Sequence, residues 1–75
     1  MKVFYRIREL REDSQSTQYE LAQLLSVSQN TYSQYETGKR QVPIEVLIAL
    51  AQHYEVSTDY ILELTDVDTP YPFNK

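Results

Sequence analysis

Residues 17–38 read TQYELAQLLSVSQNTYSQYETG, and this stretch decides the fold. Thr17 stands three residues before Glu20, the spacing of a capping box, in which each side chain takes up an orphan backbone N–H at a helix start. Leu21, Ala22 and Leu25 follow on one face, as a short amphipathic helix requires. Ser26-Val27-Ser28 then breaks the pattern, and Ser28 is a second N-cap whose hydroxyl suits a first-turn N–H. Val27 before that cap and Tyr32 four residues after it form a hydrophobic staple. The spacing predicts a helix over 29–37, with Tyr32, Tyr35 and Glu36 turned one way and Gln29, Asn30, Ser33 and Gln34 largely the other. Gly38, the only glycine, falls where a helix end takes a left-handed residue. The result is a pair of short helices joined by a tight connection, the second capped and polar on its outer face.

Outward from this pair the helical pattern continues in both directions. Upstream, Val3, Ile7, Leu10 and Ser14 recur at helical spacing and predict a helix over about 2–13. Downstream, Pro43 suits the first turn of a fourth helix carried by Val46, Leu47, Leu50 and Ala51. Val56-Ser57 repeats the staple and cap, with Ile61 as partner, and opens a fifth helix over about 58–64. Pro70 and Pro72 prevent a continuous helix beyond that point, so the expected organisation is one domain over 1–66 and an extended tail over 67–75.

Composition agrees with an all-α domain held by packing alone. The chain has 75 residues, 41% hydrophobic, with one Gly, three Pro and no Cys, which removes disulfides and thiolate metal sites. The N-terminus is broken by Arg6 and Arg8 before any signal-length apolar stretch, and the longest apolar run, Val46 to Ala51, is far below a membrane span. No membrane association is expected, and no small-molecule ligand or cofactor is evident. A formal net charge of −4 opposes any polyanionic partner, but its distribution is uneven. Residues 1–43 hold six bases against five acids, whereas residues 44–75 hold Lys75 against six acids. A neutral-to-basic face is therefore compatible with the acidic total.

The order Thr17-Gln18-x-x-Leu21-Ala22, Val27-Ser28, Tyr32-Ser33-x-Tyr35-Glu36-x-Gly38-x-Arg40, Pro43, Val56-Ser57-x-Asp59-Tyr60 resembles the Xre family, the Cro and phage-repressor type of helix-turn-helix regulator. It spans roughly residues 3–66, and the Pro-Tyr-Pro of residues 70–72 is similar to small members from Gram-positive bacteria and their phages. The resemblance implies a compact five-helix, lambda-repressor-like domain, with helix-turn-helix formed by helices 2 and 3, acting in the bacterial cytoplasm. It implies that double-stranded DNA and a second copy of the chain, as a homodimer, are the partners. Gln18 corresponds to a residue that meets phosphate; Gln29, Asn30 and Gln34 to residues that touch base edges; Thr37, Lys39 and Arg40 to the loop that grips the backbone. Arg11 and Glu36 correspond to a structural ion pair between the first and third helices.

Chemistry supports these assignments. Gln and Asn carry donor and acceptor together, so either can bond an adenine bidentately at N6 and N7. Thr31 can offer a methyl to thymine or a hydroxyl to phosphate. Thr17 and Ser28 stand at helix N-termini, whose partial positive charge favours phosphate. This sequence departs from the family at three places. Ser26 replaces a common Gly in the turn, Glu63 replaces a common Gly and suggests a longer fifth helix, and Gln34 stands where relatives carry a base such as Arg.

Blander readings compete at each position. Taken alone, Gln29, Asn30, Thr31 and Gln34 read as a solvated helix face, and only the motif context assigns them to DNA. Tyr32 and Tyr35 read as core with hydroxyls at the surface, His53 as a surface residue, and Asp66 and Asp68 as solvated carboxylates. No spacing groups a nucleophile with a base, and one Gly cannot build a phosphate-cradling loop, so an enzyme is not expected. The rival reading is a protein-binding adaptor, antitoxin or anti-repressor on the same fold. It would use Ile44, Ile48, Tyr54, Leu64, Tyr71 and Phe73, a surface that serves a homodimer equally well.

Overall fold

Five helices follow one another among the described residues: α1 (Tyr5–Asp13), α2 (Gln18–Leu25), α3 (Gln29–Thr37), α4 (Ile44–Tyr54) and α5 (Thr58–Ile61). This computed structural model describes residues 4–67, and no strand occurs among them. The expected tail and its Tyr71 and Phe73 lie almost wholly outside the described residues, as does Val3.

Local chemistry starts the helices as expected. Thr17 Oγ1 accepts from the Glu20 N–H at 3.1 Å and Glu20 Oε1 accepts from the Thr17 N–H at 2.8 Å, completing the capping box. Ser28 Oγ accepts from the Thr31 N–H and Ser57 Oγ from the Tyr60 N–H, each at 3.0 Å. Pro43 is the N-cap of α4 rather than a residue of its first turn, and its carbonyl accepts from the Val46 and Leu47 N–H groups. α1 starts later than residue 2: Phe4 is its N-cap, with no side chain to cap the first turn.

The helix ends share one device that the sequence shows at a single position. Each is closed by an N–H that reaches back five residues: Ser16 to Arg11, Val27 to Ala22, Lys39 to Gln34, Val56 to Ala51 and Leu64 to Asp59. The residue just before each donor is left-handed: Gln15, Ser26, Gly38, Glu55 and Glu63, with φ of 61°, 60°, 79°, 58° and 63°. This is the Schellman closure, and only Gly38 enters it without a Cβ penalty. Glu63 corrects the expectation of a longer fifth helix. It takes the left-handed role itself and α5 stops at Ile61. Glu55→Gly relieves the penalty at an exposed site, partly offset by the greater freedom of the unfolded glycine. The expected gain is roughly 0.5–1 kcal/mol, read as a melting temperature raised by a few degrees. A lowered melting temperature would show that the Glu55 side chain contributes a contact outweighing its strain.

The core is Ile7 from α1, Leu21 and Ala22 from α2, Tyr32 and Tyr35 from α3, Val46, Leu47, Leu50 and Ala51 from α4, and Ile61 from α5, with Val42 and Val56 from the connections. Ser14, the last residue of the expected α1 stripe, is exposed. Both staples are in place, since Val27 packs against this core with Tyr32, and Val56 and Ile61 are buried. α2 and α3 pack closely on each other, which holds α3 at a set angle on the surface.

Several polar side chains differ from expectation. Tyr32 is wholly buried, hydroxyl included, and the Tyr54 hydroxyl is buried too, so Tyr54 does not belong to the exposed apolar set. Neither hydroxyl has a hydrogen-bond partner among the described residues. Burial pushes both phenols above the usual tyrosine range. Asp66 is solvated as expected, its side chain 99% exposed, and it also accepts from Arg6 Nη2 at 3.0 Å. Arg6 Nη1 also donates to the Tyr60 and Thr65 carbonyls and the guanidinium lies 4.1 Å over the Tyr60 ring, fastening α1 to the end of the domain.

Candidate nucleic-acid interface

The Arg11–Glu36 pair is built as a clamp beneath the outer face of α3. Arg11 Nε donates to Glu36 Oε2 at 2.6 Å and Nη2 donates to Oε1 at 3.2 Å, a bidentate fork. Arg11 Nη1 donates to the Ser16 carbonyl at 3.0 Å, and Gln18 Nε2 donates to Glu36 Oε1 at 3.0 Å. One carboxylate thus ties α1, the α1–α2 connection and the first residue of α2 to the last turn of α3. Burial pushes the Glu36 carboxyl up, but Arg11, Tyr32 and Gln18 outweigh it and hold it below the usual carboxylate range. The hydrogen bond that Arg11 donates to Glu36 raises the guanidinium above its ordinary value.

Above this clamp, the expected site residues divide by what their polar hydrogens already do. Gln29 and Asn30 are exposed at the start of α3, and neither side chain has a partner among the described residues. Thr31 Oγ1 accepts from Ser28 Oγ at 2.9 Å, so the Thr31 hydroxyl hydrogen stays available while that of Ser28 is spent. Thr17 uses its hydroxyl as acceptor only and keeps its hydrogen. Thr37 donates to the Ser33 carbonyl at 3.1 Å, so its hydroxyl hydrogen is spent on its own helix. Gln18 keeps one amide hydrogen beyond the one on Glu36.

Charge narrows the site further. Among the described residues, Arg6, Arg8 and Arg11 are committed to Asp66, Glu12 and Glu36. Lys39 and Arg40 are the described bases without a carboxylate partner, and both are exposed just past the C-terminus of α3. Glu20, bound into the capping box, sets a negative charge beside the N-terminus of α2. Attraction for phosphate is therefore concentrated at the loop after α3. Sequence reasoning missed one link here: Arg40 Nε donates to Gln34 Oε1 at 2.8 Å, joining that loop to the reading face. The only signal for it was the unusual Gln at position 34.

A capped pair of helices with an exposed polar face on the second, locked from behind by an Arg–Glu fork, defines a helix-turn-helix domain. The chain belongs to the helix-turn-helix family, whose profile matches residues 7–61, and within it to the Xre/Cro type. It is similar to the uncharacterised HTH-type transcriptional regulator YobD of Bacillus subtilis strain 168, 38% identical over 65 residues, which are 87% of this chain and 58% of the relative. It is also similar to the HTH-type transcriptional regulator ImmR of the same organism, 36% identical over 67 residues, 89% of this chain and 53% of the relative. The chain thus spans little more than half the length of these relatives. Its fold matches that of the P22 c2 repressor, solved in complex with synthetic operator 9T in the presence of Tl+, with a TM-score of 0.71 and 29% identity. That match covers 81% of this chain and 94% of the repressor chain.

Proposed function

We propose that this domain reads double-stranded DNA as a sequence-specific transcriptional regulator, a repressor that places α3 in the major groove. The observation that carries this reading is the outer face of α3: free amides on Gln29 and Asn30, with the two unpaired cations Lys39 and Arg40 at its far end. Amides supply both halves of a base-edge pair, and cations supply phosphate attraction. The operator complex of the P22 c2 repressor supports the same docking. Gln29 and Asn30 take the bases. Thr17, Gln18 and Thr31 donate to phosphate with the hydrogens they retain, and Lys39 and Arg40 neutralise it. Ser28 and Thr37 serve by capping and closing α3.

The domain acts as a homodimer on an inverted repeat, with half-sites about one helical turn, roughly 34 Å, apart. Ile44 and Ile48, 67% and 45% exposed and one turn apart on α4, provide apolar surface for a two-fold contact. Regulation is by occupancy of the operator. No helix of the described residues is long and apolar enough to cross a membrane.

Gln29→Ala and Asn30→Ala each weaken binding to the selected operator by about 1–3 kcal/mol and relax the base preference at one position. Fluorescence anisotropy against the operator and a scrambled duplex measures both effects. If each variant keeps full discrimination between the two duplexes, α3 is not the reading helix. The adaptor reading then takes over, with the Ile44 and Ile48 surface as its contact.

A further inference from the structure

We infer that Glu36 is a positioning residue for DNA binding, holding the Gln18 amide so that one of its hydrogens stands ready for a backbone phosphate. The inference deepens the proposed DNA reading and rests on it. Gln18 is the first residue of α2, and Glu36 lies in the last turn of α3. The carboxylate therefore reaches across the helix pair to set a side chain at the start of its neighbour.

Gln18 Nε2 donates to Glu36 Oε1 at 3.0 Å. A carboxylate that accepts from Arg11 has no hydrogen to give, so the amide atom facing it is the nitrogen. One Nε2 hydrogen is spent and the other is left, in an orientation fixed by its partner. The anchor itself does not swing. The Glu36 side chain is 3% exposed, and Arg11 holds both of its oxygens, at 2.6 and 3.2 Å. Arg11 is held in turn by the Ser16 carbonyl at 3.0 Å. The guanidinium also offsets the carboxylate charge, which would otherwise repel a phosphate brought up to Gln18.

The start of α2 has use for such a donor. The capping box takes up the N–H groups of Thr17 and Glu20, which leaves those of Gln18 and Tyr19 with no carbonyl inside the helix. Those groups favour an anion, but the Glu20 carboxylate in the box works against it. A neutral donor already in place strengthens the contact without the cost of ordering a long side chain. Gln29, exposed and without a partner among the described residues, has no such anchor and gives up its rotamer freedom on binding.

The test uses the duplex that the wild-type protein selects from a random pool, with a neutral methylphosphonate placed at one backbone position after another. Gln18→Met leaves the Arg11–Glu36 fork intact. It marks the phosphate that Gln18 meets, as the position where the methylphosphonate no longer matters. Arg11→Met with Glu36→Leu, checked as folded by circular dichroism, frees the amide. Affinity then falls roughly three- to tenfold per protomer, on operator and scrambled duplex alike. The methylphosphonate penalty shrinks at the marked phosphate and stays at the phosphates met by Lys39 and Arg40. A clamp that served the fold alone would lower every penalty together or none, and either result overturns the inference. So does a Gln18→Met scan that marks no phosphate. Nitrogen relaxation on the free wild-type protein needs no variant: the Gln18 side-chain amide is as rigid as the backbone beside it, and one as mobile as that of Gln29 overturns the inference. A wild-type protein that binds no duplex strikes the DNA-reading assignment, and the positioning role falls with it.

Discussion

Glu36→Ala loses about 3–5 kcal/mol in urea denaturation, a large part of the stability of a domain this small. The loss comes less from the attraction given up than from what is left behind. The Glu36 side chain is 3% exposed and that of Arg11 13%, so the variant leaves a guanidinium with its fork unpaired in a place where water reaches it poorly. Gln18 loses its acceptor in the same step, so α2 and α3 loosen together. Removing both charges, as Arg11→Met with Glu36→Leu, recovers much of the loss, because the uncompensated charge is then gone. A Glu36→Ala loss below about 1 kcal/mol would place the pair among ordinary surface bridges.

The same residue makes stability depend on acid. The folded-state pKa of Glu36 is depressed, so its contribution is present in full above the unfolded value of about 4.3 and disappears as pH falls through the folded value. Glu36→Gln does not titrate. Its stability is therefore lower than wild type at neutral pH, and the gap narrows below about pH 4.

Lys39→Ala with Arg40→Ala removes nearly all of the salt dependence of DNA binding. With Arg6, Arg8 and Arg11 tied to carboxylates, Lys39 and Arg40 are the described bases free to displace counterions. Each neutralised phosphate contributes about 0.9 to the slope of log affinity against log salt, so the wild-type slope is about −2 per protomer and roughly −4 for a two-fold pair. The double variant brings that slope close to zero and weakens binding on any sequence by about 100-fold or more at low salt. Each single variant takes about one unit per protomer. A double variant that keeps a slope steeper than about −2 for the pair would mean that other groups carry the phosphate contacts.

These effects show why the acidic total is compatible with a DNA-reading domain. Three of the five described bases are paired with carboxylates, and the part of the charge that faces outward near α3 is small and positive. The excess of acid over base lies beyond residue 43. On the proposed reading, the consequence is modest electrostatic affinity, with base contacts by α3 carrying more of the discrimination.

Parts of the fold that depend on local side-chain chemistry were legible in the sequence. Thr17, Glu20 and Ser28 are capping residues because of their own hydroxyl and carboxylate groups, and they cap as expected. The Arg11–Glu36 pair followed from the family resemblance, and the structure places it where that resemblance implies. The left-handed closures at Gln15, Ser26, Glu55 and Glu63 were less legible. A residue with a Cβ enters that region only because tertiary packing outweighs its preference. Ser26 alone was foreseeable, from the Gly it replaces, while Glu63 misled about the length of α5 for the same reason. Tyr54 looked exposed from its spacing and is drawn in beside α1. At the candidate site, the motif context marked out a face as an expectation, but not how its hydrogens are spent. That Ser28 and Thr37 commit theirs, and that Arg40 reaches back to Gln34, are facts of geometry between residues whose types alone leave many arrangements open.

The central claim, that α3 reads DNA sequence for a two-fold assembly, is tested most directly by selection of the purified protein on random duplex DNA at two salt concentrations. An enriched inverted repeat with half-sites about 34 Å apart, retained less tightly at the higher salt, is the expected result. A folded, helical protein that enriches no sequence at either salt concentration would contradict it.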